Sequence, residues 1–151
     1  MIARTKTRTP KTRFAIYAVG GSASINSQPR ACREFIAARG GTIADGTIFT
    51  DAMPGGTMFK ALATGADLAA LRGEIHAKPR RIDMLVVDKM TRLAGDINDG
   101  ERLFHRLLAG TDVLCATADG RATFGPFVGL RPTRQRLPGK ARSARKPAST
   151  R

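Results

Sequence analysis

Short apolar runs alternate along this chain with stretches in which apolar residues recur at helical spacing. The run at residues 13–19 is rich in β-forming residues and stops at a Gly-Gly pair, which favours a strand. Residues 46–50 and 112–117 predict two further strands. The run at residues 82–88 is the clearest, because a strand buried on both faces is apolar over its whole length.

Three stretches between these runs predict helices. Residues 26–40 carry apolar side chains at helical spacing, with Pro29 in the expected first turn. Residues 59–77 predict a second helix. Thr64 or Asp67 could be the N-cap of its second half, which has the more regular helical pattern. A third helix runs to about residue 108, with one apolar face and either Asp96 or Asn98 as its N-cap.

The alternation of strands and helices predicts one α/β domain of three layers, with a mainly parallel, four-stranded sheet. Ligands bind such sheets beyond the carboxyl ends of the strands. In this chain those ends are residues 19–24, 50–56, 88–96 and 117–120.

The formal net charge of +14 is distributed unevenly. Residues 1–13 and 131–151 together hold 13 of the 26 basic residues and no acidic residue, whereas residues 14–130 are close to neutral. Segments of one charge sign with little apolar surface are expected to be disordered. We therefore divide the chain into a basic tail at 1–12, a domain at 13–122 and a basic, Pro/Arg-rich tail at 123–151.

Basic tails of this kind bind nucleic acid through phosphate charge, without sequence preference. The alternative is that they only keep the protein in solution. If they bind DNA, the expected contacts in the C-terminal tail are Arg131, Arg134, Arg136, Lys140 and Arg142.

The sequence predicts no cofactor, no metal site and no membrane span. Cys32 and Cys115 lie in apolar patterns without metal-binding spacing, and we expect buried, reduced thiols in a cytoplasmic protein. No apolar run approaches 18 residues. The basic, Thr-rich start could also be a transit peptide, but it has no secretory apolar region.

Four ordered segments within residues 13–120 resemble the catalytic domain of resolvase/invertase serine recombinases. A-I-Y-A-V-G-G-S resembles the family's Y-x-R-x-S segment, and the helix at 26–40 resembles its first helix. I-F-T-D-A-M-P-G-G-T resembles the aspartate that precedes a Ser-Gly turn, and M-T-R-L-A-G-D resembles the strand end D-R-L-S-R-D. The resemblance implies a resolvase-like fold and metal-free DNA cleavage by a serine that attacks the phosphodiester.

The residues that should carry this chemistry are only partly present. Tyr17 matches, but Val19 and Gly21 stand where the resemblance calls for arginine and serine. Ser22 follows one place later and is the candidate nucleophile, although a serine in a Gly-rich turn more often bonds to nearby backbone.

In the second motif Arg92 and Asp96 match, whereas Gly95 replaces an arginine and Thr91 an aspartate. Asp51 matches the aspartate before the turn. We thus assign Ser22, Asp51, Arg92 and Asp96 to the candidate catalytic set. Arg92 has two open interpretations: a phosphate contact, or an (i, i+4) ion pair with Asp96.

Residues 121–140 are rich in Pro and Gly and predict neither the family's long dimer helix nor its DNA-reading domain. The leading hypothesis is therefore a serine-recombinase-like DNA-binding protein without catalysis, either a remnant or a regulator of recombination. It could associate with itself or with an intact recombinase. The alternatives are an active recombinase that uses Ser22, or a phosphate- or nucleotide-binding α/β module.

Overall fold

The fold was analysed in a computed structural model that describes residues 11–125 and 129–132. Its elements follow in the order β1 (Arg13–Gly20), α1 (Ser22–Ala38), β2 (Thr42–Ala52), α2 (Met58–Thr64), α3 (Ala66–Ile75), β3 (Met84–Val87), α4 (Met90–Leu93), α5 (Ile97–Leu107), β4 (Leu114–Thr117), β5 (Ala122–Gly125) and β6 (Gly129–Pro132). They form one six-stranded sheet in the order β2-β1-β3-β4-β5-β6. In these residues, helices fall short of the length and apolarity that a bilayer crossing requires.

The α/β class is confirmed, but the expected sheet of four strands is too small. β2, β1, β3 and β4 pair in parallel, whereas β5 and β6 add two antiparallel strands. These two strands lie at residues 122–125 and 129–132, so the sheet continues past the expected domain end at residue 122.

A short hairpin connection makes this extension possible. Gly120 has a φ of 76°, which glycine adopts without strain, and its amide donates to Thr117 O at 3.0 Å. The buried Thr117 hydroxyl then accepts a hydrogen bond from Ala122 N at 3.1 Å. The Asp119-Gly120 pair is a sequence signal for this turn, whereas the expected boundary at residue 122 placed the second strand of the hairpin in the tail.

The sheet carries helices on both faces. Alternate residues of β1 point to opposite sides: Ala15, Tyr17 and Val19 enter a large core with residues of α2, α3 and α5. Phe14 and Ile16 enter a smaller core with residues of α1. Because both faces of β1 are covered, all its residues from Phe14 to Gly20 are buried, as expected for a central parallel strand.

α1 begins four residues earlier than the predicted start at residue 26. Gly20, with a φ of 144°, turns the chain directly from β1 into the helix, and Gly21 is the N-cap. Pro29 consequently lies inside α1 and not in its first turn. Ser22, expected in a loop, is instead the first residue of a helix.

The predicted helix at 59–77 is divided at Gly65 into α2 and α3. Neither Thr64 nor Asp67 is the N-cap of α3; the cap is Gly65, which has no side chain to offer. Asp51, at the end of β2, accepts hydrogen bonds from the first amides of α3 in its place. A Cβ atom on Gly65 would lie 2.4 Å from Asp51 Oδ2, so only glycine lets β2 approach the helix this closely.

Candidate functional site

The sheet topology locates a crevice between the carboxyl ends of β1 and β3. From β1 the chain moves to β2 on one side, and it then crosses to β3 on the other side. In open α/β sheets, ligands bind at such a reversal of strand order. The crevice is bordered by residues 20–24 after β1 and by residues 88–92 after β3, and α4 packs against both β1 and α2.

The β1 side of the crevice is fixed by the buried side chain of Gln28. Its amide spans both backbone groups of Val19: Nε2 donates to Val19 O at 2.8 Å, and Oε1 accepts from Val19 N at 3.2 Å. Nε2 also donates to Ser24 Oγ at 2.9 Å. Ser24 is therefore part of the structure that holds the strand-to-helix turn.

Ser22, the candidate nucleophile, is exposed at the start of α1. Its hydroxyl has no hydrogen-bond partner among the described residues, so no general base there is positioned to activate it. The N-cap of α1 is Gly21, which has no side chain to accept a hydrogen bond from the helix. The first amides of α1 thus lack a side-chain acceptor, and the helix start carries a partial positive charge.

Arg92 lies on α4, on the β3 side of the crevice, and its ion-pair partner differs from the expected one. Its Nε lies 3.7 Å from Asp88 Oδ2, and this buried nitrogen makes no hydrogen bond. The side chain is 27% exposed, so part of the guanidinium faces solvent. The pair is too long for a hydrogen bond and leaves Arg92 with donors that it does not use.

The expected pair between Arg92 and Asp96 is wrong for a local reason. Ala94 ends α4 in an extended conformation, with φ −163° and ψ 161°, so the two residues do not share a helix. The (i, i+4) geometry therefore does not exist. Asp96 instead caps α5, where its Oδ1 accepts from Asp99 N at 2.9 Å. Its role as a helix cap was one of the two options that the sequence predicted.

Asp51 is buried, and its carboxylate is occupied by three donors. Tyr17 OH lies 2.7 Å from Oδ2, and the amides of Asp67 and Leu68 donate at 3.0 Å each. Burial and the hydrogen bond to Asp51 raise the pKa of Tyr17. Asp67 reaches back to Thr50 N at 2.9 Å, so the two aspartates join β2 and α3 reciprocally. The contacts of Asp51 are those of a structural residue.

Three of the four substituted positions of the resemblance, Val19, Gly21 and Gly95, differ in the space around them. Val19 is fully buried within the large core. In contrast, a Cβ atom on Gly21 or Gly95 would have no other atom within 4 Å. Two of the three positions could hold a larger side chain, and the third could not accept an arginine without burying its charge.

Within residues 11–125 and 129–132, no group of three or more His, Cys, Asp or Glu side chains lies close enough to hold a metal ion. Burial, together with the charge of Asp88, raises the pKa of the Cys32 thiol to about 12. Burial also raises the pKa of Cys115. Both thiols are therefore protonated at neutral pH and poor nucleophiles.

The predicted tail contacts fall mostly beyond the described residues. Arg131 lies in β6, and Arg134, Arg136, Lys140 and Arg142 lie outside the described residues.

Sequence reasoning missed three residues that shape the crevice. Gln28 falls in the predicted helix at 26–40, and its buried position reflects a contact with Val19 that spacing does not encode. Asp88 is the last residue of the predicted strand at 82–88, and its (i, i−4) spacing from Arg92 was a usable signal. Lys89, exposed after β3, adds a second positive charge at this edge.

No protein-family model, no curated protein and no solved structure matches the chain. The resemblance to serine recombinases therefore stays a prediction. The geometry by itself describes an edge with two cationic side chains, an open helix start and an unactivated serine.

Proposed function

We propose that this protein binds DNA through its backbone phosphates and does not cleave it, as a serine-recombinase-like protein without catalysis. The observation that carries the proposal is the state of Arg92, whose side chain is 27% exposed at the crevice and stays 3.7 Å from Asp88 Oδ2. The exposed part of this guanidinium can donate to a phosphate. The role would be that of a remnant or a regulator of recombination, acting alone or with an intact recombinase.

The absence of cleavage follows from what a phosphoryl transfer needs. A serine must lose its proton to a base, and several fixed donors must stabilise the charge that develops on phosphorus. Among the described residues Ser22 has no base, and the positions of the missing arginines hold a buried valine and a glycine. Loss of one such donor alone costs on the order of 10²–10³ in rate.

The binding half of the proposal can be tested by removing the two charges at the crevice. We expect Lys89→Gln/Arg92→Gln to weaken binding of a 20-base-pair duplex and to lower the slope of log K against log salt by about 1. The matched control is Arg30→Gln/Arg33→Gln, which removes two exposed charges from the outer part of α1. If both variants changed affinity and slope equally, the crevice would not be a phosphate site.

The catalytic half has its own readout. Incubation with supercoiled plasmid that carries candidate recombination sites should give no covalent protein–DNA adduct, with or without magnesium. A denaturation-resistant adduct that is lost in Ser22→Ala would contradict the proposal. The alternative, an active recombinase that uses the exposed Ser22 at the start of α1, would then be correct.

A further inference from the structure

A second basic feature lies at the opposite edge of the sheet, where the parallel strands begin. An open cavity of about 510 Å³ is lined by Lys11, Thr12, Arg13, Arg80 and Asp83. Arg13 opens β1, and Asp83 immediately precedes β3. The cavity is thus separated by the length of the central strands from the crevice that contains Arg92.

The floor of the cavity is an organised ion pair. Asp83 Oδ2 accepts from Arg13 N at 2.8 Å and from Arg13 Nε at 3.1 Å, while Oδ1 accepts from Arg13 Nη2 at 3.2 Å. The remaining terminal nitrogen, Nη1, donates to Arg80 O at 2.8 Å. Arg13 is therefore held in one orientation and is largely occupied by protein acceptors.

Arg80 and Lys11 have donors to spare. Arg80 Nη2 lies 3.1 Å from Asp83 Oδ1, which places its guanidinium beside that of Arg13. Its other contact, with the highly exposed Asp112, is long at 3.8 Å. Lys11 is exposed and has no partner among the described residues. Since a single carboxylate, Asp83, faces three cations in the lining, the cavity carries an excess of positive charge.

This charge is continued by the sequence. Arg4, Lys6 and Arg8 precede Lys11 without an intervening acid. A ligand with one phosphate would use only the cavity, whereas a polyanion gains from every basic residue that precedes Lys11 in the sequence. The combination of a pre-oriented arginine pair and a contiguous basic segment favours a polyanion.

We propose that the cavity lined by Lys11, Arg13 and Arg80 binds a backbone phosphate of DNA, as a second contact site on the folded domain. Arg80 and Lys11 donate to the phosphate oxygens, and Asp83 positions the two arginines. This inference rests on the proposed function in one respect, which is that DNA is the ligand. It assigns the contact to a different edge of the sheet and to different residues.

The test is a charge-matched comparison in the full chain. Lys11→Gln/Arg80→Gln should weaken binding of the 20-base-pair duplex roughly tenfold and lower the slope of log K against log salt by about 1. Arg30→Gln/Arg33→Gln should leave the slope almost unchanged. Equal effects from both pairs would overturn the inference. Thermal unfolding of each variant checks that the domain remains folded.

The two proposals fail in different ways. If Lys89→Gln/Arg92→Gln has no effect while Lys11→Gln/Arg80→Gln does, the crevice is not a DNA contact and the cavity is. The reverse result overturns only the cavity.

A direct readout separates the backbone phosphate of DNA from free phosphate. In ¹H–¹⁵N spectra, the Nε signal of Arg80 should shift with the duplex at micromolar concentration. It should not shift with inorganic phosphate or a mononucleotide at the same concentration of phosphate groups. A shift that saturates with the mononucleotide at those concentrations would overturn the inference in favour of a small-ligand site.

Discussion

The two edges of the parallel sheet each contain an arginine–aspartate pair, and the pairs differ in how completely they are bonded. At the amino edge, Asp83 accepts three hydrogen bonds from Arg13, two of them from the guanidinium. At the carboxyl edge, Arg92 Nε stays 3.7 Å from Asp88 and makes no hydrogen bond. The same two residue types therefore serve different purposes at the two edges.

The difference shows which arginine–aspartate pair stabilises the domain and which one leaves hydrogen-bond donors unused. A multiply bonded arginine and carboxylate join the starts of β1 and β3, so they contribute to the fold. The loose pair of Arg92 and Asp88 contributes less, because at 3.7 Å the buried Nε of Arg92 makes no hydrogen bond. The carboxyl edge is held instead by two buried side chains: Gln28 of α1, which bonds to the backbone of β1, and Asp51 of β2, which accepts from the first amides of α3.

The strongest test of this comparison is to place the missing arginine back at the carboxyl edge. Val19→Arg should destabilise the protein by more than about 4 kcal/mol, because Val19 is fully buried and the charge would have no partner. Gly95→Arg should change stability by less than about 0.5 kcal/mol, since no atom lies within 4 Å of its Cβ position. Urea unfolding measures both. If the Val19 variant stayed fully stable, the end of β1 would accommodate a charged side chain, and the border assigned to the crevice on the β1 side would be wrong.

The second test concerns which acid holds the carboxyl edge. Asp51→Ala should cost about 3 kcal/mol or more, because Tyr17 OH and the amides of Asp67 and Leu68 lose their acceptor. Asp88→Ala, the matched control at the same edge, should cost less than about 1 kcal/mol. Equal losses in chemical denaturation would mean that the loose pair contributes as much as the buried cap.

The third test uses pH at the amino edge. Hydrogen bonds from Arg13 and its charge, together with that of Arg80, hold the pKa of Asp83 below its usual value. The ionised form is thus favoured in the folded state. The contribution of the ionised Asp83 to stability is present at pH values above the pKa of an unfolded aspartate, near 3.9. It is lost as the pH falls through the lower pKa of the folded state.

Asp83→Asn should therefore be less stable than the parent by about 1 kcal/mol at pH 7, a value reduced for the partial exposure of the pair. The two proteins should converge once the pH has fallen below the lowered pKa of Asp83 in the folded state. Parallel stability curves over pH 2–7 would show that the Asp83 charge contributes nothing.

The sequence predicted the parts of this fold that depend on local pattern. The runs at 13–19 and 82–88 contain β1 and the shorter β3, because a short run of consecutive apolar residues needs no distant partner to be recognised. Asp96 was predicted as one of two possible caps for the same reason, since an N-cap bonds an amide three residues away.

The features that sequence reasoning missed depend on contacts between distant segments. Asp51 caps α3 across 16 residues, and the clearest sign was Gly65, whose missing Cβ makes room for the carboxylate. The extra strands β5 and β6 were missed because residues 123–151 have the charge and composition of a disordered tail. The turn signal at Asp119 and Gly120 pointed to a hairpin instead. The wrong partner for Arg92 came from applying (i, i+4) helical spacing across Ala94, where the chain is extended.

The smallest expected effect belongs to Gly21, where the resemblance calls for a serine. Gly21 caps α1 in an extended conformation, with φ −72° and ψ 166°, and its Cβ position is open. A serine there could accept a hydrogen bond from an amide in the first turn. Gly21→Ser should therefore stabilise the protein by a few tenths of a kcal/mol, whereas Gly21→Ala should not, because alanine offers the amides no acceptor.

The same variant also tests whether the carboxyl edge can be made reactive. Gly21→Ser should still form no covalent adduct with plasmid DNA. The hydroxyl would be used by the helix, Val19 would remain a buried apolar neighbour, and Arg92 would be the one arginine of the motif in place. Adduct formation by Gly21→Ser, with none by Gly21→Ala, would show that one hydroxyl restores cleavage. The unbonded donors of Arg92 would then serve a transition state and not a resting contact with DNA.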